Sequence, residues 1–95
     1  MSKYYKYYRI YGIYENDALL YIGYTTEKLN CCLSHIIRSP AKDRPIVQYL
    51  NSIPRNTITI RRMGHAQSKP KLKEIERKLI DELKPRFSKI MYIVS

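Results

Sequence analysis

The stretch Gly12-Ile13-Tyr14-Glu15-Asn16-Asp17-Ala18-Leu19-Leu20-Tyr21-Ile22-Gly23 decides the fold. Two runs rich in Ile and Tyr, Arg9 to Tyr14 and Leu19 to Tyr24, flank the turn-like interval Glu15 to Ala18, so the stretch reads as a β-hairpin. With the turn centred on Asn16-Asp17, Tyr14 pairs with Leu19 and Gly12 with Tyr21. Side chains alternate between the two faces of a strand. Gly12, Tyr14, Leu19, Tyr21 and Gly23 are therefore expected on one face, and Tyr11, Ile13, Leu20 and Ile22 on the other. The first face then carries two phenols beside two glycines. A ligand needs the clearance that glycine leaves, and a tyrosine hydroxyl can position or deprotonate a water.

Outward from the hairpin, Thr25 or Thr26 can cap a helix running to about Arg38, with Leu29, Leu33, Ile36 and Ile37 as its apolar stripe, and Ser39-Pro40 ends it. A shorter helical segment runs from Pro45 through Leu50 and stops near Pro54. Thr57 to Arg61 alternates as a third strand should. Ser68 and Pro70 signal a last helix over about Lys71 to Lys84, stopped by Pro85. Ile90 to Val94 reads equally as a fourth strand or a tail. The order β-β-α-α-β-α predicts an α+β fold, a small three-stranded, mostly antiparallel sheet flanked by helices.

At about 100° per residue, Leu72, Ile75, Leu79, Ile80 and Leu83 fall within one arc of the last helix, and Glu76 lies in the middle of it. Glu74 and Asp81 point the opposite way. An inward carboxylate needs a partner, because even a neutral polar group buried without one costs roughly 2–7 kcal/mol. A basic side chain, a tyrosine hydroxyl or a divalent cation would each serve.

Ninety-five residues, 44% of them hydrophobic, suit one domain over 1–95 with a single core. No apolar run approaches the roughly 20 residues of a membrane span, so the chain reads as soluble and intracellular, with no membrane partner. Eighteen Lys and Arg against eight Asp and Glu give +10, a field suited to a polyanion. The only cysteines, Cys31 and Cys32, are adjacent and form neither a disulfide framework nor spaced zinc ligands. Ten tyrosines with one Phe and no Trp is a bias that an AT-rich coding sequence, such as a virus's, produces.

The tripeptides Gly12-Ile13-Tyr14 and Tyr21-Ile22-Gly23 resemble the two signatures of the GIY-YIG nuclease family. The run Glu76-Arg77-Lys78-Leu79-Ile80-Asp81-Glu82-Leu83-Lys84-Pro85-Arg86-Phe87 resembles the family's helix, which carries a metal-binding Glu ahead of a Leu-Ile pair and a Lys-Pro-Arg-aromatic ending. The resemblance implies an endonuclease cutting phosphodiester bonds, of DNA more than of RNA. Glu76 would hold one Mg²⁺ or Mn²⁺, and Tyr14 and Tyr21 would position or deprotonate the attacking water. Gly23, Arg38, Arg61, Arg62, Arg86 and Ser88 are the residues expected to meet the nucleic acid. No separate reading module is visible, so sequence choice would come from loops, a homodimer or a partner protein.

The chain departs from the family at three positions. The family's Leu-x-x-Arg-Leu pattern on the first helix aligns its Arg with Cys32, or with Cys31 when no gap is allowed, and neither supplies a permanent cation. Tyr24 stands where a Lys is frequent, and Ser88 where an Asn is. Losing one preorganised charge from such a site costs on the order of 10²–10³ in rate. His35, one turn beyond Cys32, is the nearest replacement. Arg38 lies about 120° around the helix, while Arg61, Arg62 and Arg86 could reach in from other elements. The sequence therefore supports two expectations: a metal-dependent endonuclease, or a catalytically degenerate relative that binds nucleic acid or a protein without cutting.

Overall fold

The computed structural model describes residues 8–40 and 43–87. Ser88 and the stretch from Ile90 to Val94 lie outside the described residues. The elements follow the expected order: β1 (Tyr8–Glu15), β2 (Ala18–Thr25), α1 (Leu29–Ile37), α2 (Pro45–Leu50), a 3₁₀ turn (Arg55–Thr57), β3 (Ile58–Ala66) and α3 (Lys69–Leu83). The sheet is antiparallel with strand order β2-β1-β3, so the fold is α+β with a central first strand.

Asn16 turns the hairpin with φ 55, a left-handed conformation that Asn tolerates better than most residues. Its N–H donates to the Thr57 carbonyl at 2.8 Å, which fastens the hairpin tip to the start of β3. As expected, Tyr14 pairs with Leu19. Beyond that pair the expected register fails. Tyr21 lies opposite Ile13 and Gly12 opposite Ile22, because Leu20 is an extra residue, a β-bulge in β2. A one-residue shift moves every later side chain to the other face. Tyr14 and Tyr21 therefore do not share a face, nor do Gly12 and Gly23.

One face of the sheet carries Tyr11, Ile13, Leu20, Tyr21 and Ile58 against Cys32 and Leu33 of α1 and Ile46, Val47 and Leu50 of α2. The other carries Ile10, Ile22 and Ala66 against Leu72, with Ile75, Leu79 and Ile80 of α3 packed around them. Ile10, Ile13, Ile46 and Leu72 are each fully buried, a burial that contributes about 1.5–3 kcal/mol per side chain. The α1–α2 layer thus sits over Tyr21, and α3 sits over the face of Gly12 and Tyr14.

Three boundaries differ from those read in the sequence. Neither Thr25 nor Thr26 caps α1, which starts after Lys28. The Thr25 hydroxyl instead accepts the Glu27 N–H at 3.0 Å, a local turn that competes with capping. Thr57 belongs to the 3₁₀ turn, and β3 continues past Arg61 to Ala66. The last helix begins two residues early, at Lys69, with Pro70 in its first turn. It stops at Lys84, whose φ of 49 is left-handed, and the chain then returns along the outer edge of β2. There the Arg86 and Phe87 N–H groups donate to the Leu19 and Leu20 carbonyls at 3.3 and 2.7 Å. Among the described residues no helix is long and apolar enough to cross a membrane.

Candidate functional site

The bulge sorts the chemistry-bearing side chains into two groups, one on each face. On the α1–α2 side, Tyr21 is 2% exposed and its hydroxyl accepts a bond from Arg44 Nη2 at 3.4 Å. Tyr11 shares this face and lies over Gly23. A Cβ built on Gly23 would fall 2.5 Å from Tyr11 Oη and 3.0 Å from Tyr21 Cε2. The clearance that Gly23 leaves is occupied by the protein's own phenol.

The Tyr11 hydroxyl and the Cys32 thiol are close enough on this face for each to influence the other's titration. Burial is the main reason that the Tyr11 hydroxyl titrates far above its ordinary value, and the neighbouring Cys32 and Tyr21 add to it, while Arg44 works the other way. Burial likewise pushes the Cys32 thiol up, against the lowering influence of the Tyr11 and Thr25 hydroxyls. Cys32, at the position where the resemblance expects an arginine, is thus a buried, protonated thiol. Cys31 is exposed.

Arg44 was no candidate on sequence grounds. It precedes α2 as its N-cap, and only the tertiary fold brings it beside Tyr21, from which it is 23 residues distant. Tyr11 was missed for a different reason, since a flush hairpin register assigns it to the opposite face from Tyr21.

On the α3 side, Tyr14 is half-buried and Arg61 stacks its guanidinium 4.5 Å from the ring centroid. Arg61 also approaches Asp17 at 3.8 Å, a pair in full solvent that contributes little. Glu76 is 8% exposed and does face inward among Leu72, Ile75, Leu79 and Ile80, as its place on the helix requires. Tyr14 and Glu76 therefore share a side of the sheet, and Tyr21 is on the other.

The remaining candidates are spread over the surface. His35 is exposed on α1, its Nδ1 3.0 Å from Glu27 Oε1. Arg38 is the exposed C-cap of α1. Arg62, also exposed, lies 3.2 Å from His65 Nδ1. Arg86 stacks 4.6 Å from the Tyr49 ring and donates to its hydroxyl at 3.2 Å. Neither His35 nor Arg38 is brought to Tyr21.

Among the described residues no three His, Cys, Asp or Glu side chains come together as a metal-binding group. A Mg²⁺ held by a single carboxylate keeps several waters around it. Glu76, 8% exposed and already engaged by the protein, is a poor match for a hydrated ion of that kind. No protein-family model, curated protein or solved structure matches the chain.

Proposed function

We propose that this chain is a small GIY-YIG-type protein that binds nucleic acid through its phosphates and does not cut it. The observation that carries this reading is the bulge at Leu20. Hydrolysis in the way the resemblance implies needs Tyr14, Tyr21 and Glu76 around one phosphate, and the bulge divides them between the faces of the sheet. Binding asks less of the fold. Arg61 and Arg62 on β3 and Lys69, Lys71, Lys73, Arg77, Lys78 and Lys84 along α3 are all exposed. Such side chains neutralise phosphates without reading sequence.

The test is fluorescence anisotropy with labelled DNA across a salt series, run beside a plasmid-nicking assay with Mg²⁺ or Mn²⁺. The expected result is affinity that falls with salt at a log–log slope of about −3 or steeper, roughly one unit per neutralised phosphate. No nick is expected. Flat salt dependence would remove the binding reading.

Arg44 favours a second reading, slow hydrolysis on the α1–α2 face. There Tyr21 would act as the base, and the Arg44 guanidinium, 3.4 Å from its hydroxyl, would replace the cation that Cys32 cannot supply. Under this reading the nick appears, survives Tyr14→Phe, and is lost in Arg44→Gln. A nick lost in Glu76→Ala as well would overturn the non-cutting proposal and the division of the site together.

A further inference from the structure

Beside α2 runs an open groove lined by Pro45, Gln48, Tyr49, Ser52 and Phe87. Its two rings lie 5.4 Å apart, centroid to centroid, at 45°, a tilted pair that a flat group can extend. A cation stands beside the rings: Arg86 is placed against both, 4.6 Å from Tyr49 and 5.5 Å from Phe87.

The platform is held by contacts that do not use the groove itself. The Tyr49 hydroxyl donates to Glu15 at the end of β1 and accepts from Arg86. The Phe87 N–H is tied to the Leu20 carbonyl at 2.7 Å, so the ring is mounted on the edge of β2. Ser52 Oγ donates to the Tyr49 carbonyl at 2.7 Å.

Aromatic faces and a flanking guanidinium match the chemistry of an unpaired base with its phosphate. Base–aromatic stacking is available only where the base is not already stacked in a duplex. We propose that this groove takes one nucleobase of a single-stranded nucleic acid, stacked on Tyr49 and Phe87, with the adjoining phosphate on Arg86. The inference rests on the reading that the chain binds nucleic acid. Glu15, which accepts from the Tyr49 hydroxyl, does not line the groove.

The experiment measures binding of a labelled 15-nucleotide single strand and the matching duplex to the whole chain and to Tyr49→Leu, Phe87→Leu and Arg86→Gln. Melting curves select the variants that remain folded. Either ring variant is expected to lose about 10-fold or more in single-strand affinity, with duplex affinity and salt slope unchanged. Arg86→Gln is expected to weaken both forms and to reduce the salt slope by about 1. If the folded ring variants bind the single strand as tightly as the parent, or lose equally on both forms, the groove is not a base site and the phosphate-binding reading stands. If the parent binds neither form with any salt dependence, both proposals fall.

Discussion

Gly23→Ala is expected to destabilise the protein by about 1–3 kcal/mol, the usual cost of forcing a methyl into a packed core. For a chain of this size that lowers the melting temperature by about 4–8 °C per kcal/mol. The new Cβ would meet Tyr11 Oη at 2.5 Å, Tyr11 Cζ at 2.7 Å and Tyr21 Cε2 at 3.0 Å. Neither ring can step aside at little cost. Tyr11 is 5% exposed, and Tyr21 is 2% exposed beneath α1 and α2. Gly64→Ala supplies the control, because there the nearest atom is Ile10 Cδ1 at 3.9 Å, ordinary contact. Replacing a glycine without strain reduces the freedom of the unfolded chain, so Gly64→Ala is expected to be neutral or to stabilise by up to about 1 kcal/mol. Gly12→Ala should fall between them, since its closest neighbour, Met63 Sδ at 2.7 Å, is the end of a flexible side chain. Thermal melts of the three variants check the order. Equal losses at Gly23 and Gly64 would mean that Tyr11 does not fill the space over Gly23.

Those glycines also mark how far the sequence could be read. Element order was legible because apolar residues recur with the period of each element, and Glu76 could be placed inward because its neighbours on the helix are Leu72, Ile75, Leu79 and Ile80. Such patterns are local and repeated. The hairpin register rested on a single assumption, that the two strands leave the Asn16-Asp17 turn residue for residue. One extra residue, Leu20, breaks it, and no periodicity reveals that, since Leu20 and Tyr21 both pack on the α1–α2 face. The error then propagates through parity: Tyr11 takes the place beside Tyr21 that Tyr14 was expected to hold. Arg44 was illegible for another reason. Its contact with Tyr21 depends on how α2 is docked, and a basic residue ahead of a helix carries no mark of where the helix will lie.

Above about pH 9 the protein is expected to lose stability steadily, and Tyr11→Phe is expected to flatten that loss. Both buried acids titrate above their ordinary values, Cys32 from 9.0 and Tyr11 from 10.0. The raised direction fixes the sign. Below pH 9 both groups are neutral whether the chain is folded or not, so the full stability is present. Above it the unfolded chain releases protons that the folded chain keeps, first from Cys32 and then from Tyr11, and unfolding is favoured increasingly. For Tyr11 the slope is about 1.4 kcal/mol per pH unit, or about 2–3 kcal/mol between pH 10 and about pH 12. Tyr11→Phe lacks the titrating hydroxyl, so its dependence on pH above 10 should be the shallower of the two. Urea titrations at pH 7, 9, 10 and 11 measure both effects, and parallel curves for parent and variant would show that Tyr11 is not held neutral by burial. The distinction bears on function. A general base works best with a pKa near the operating pH, and a phenol pushed away from neutrality by desolvation is moved in the wrong direction for that task. If the alkaline slope belongs to Tyr11, this residue holds the core together beside Tyr21 and does not serve as a base at neutral pH.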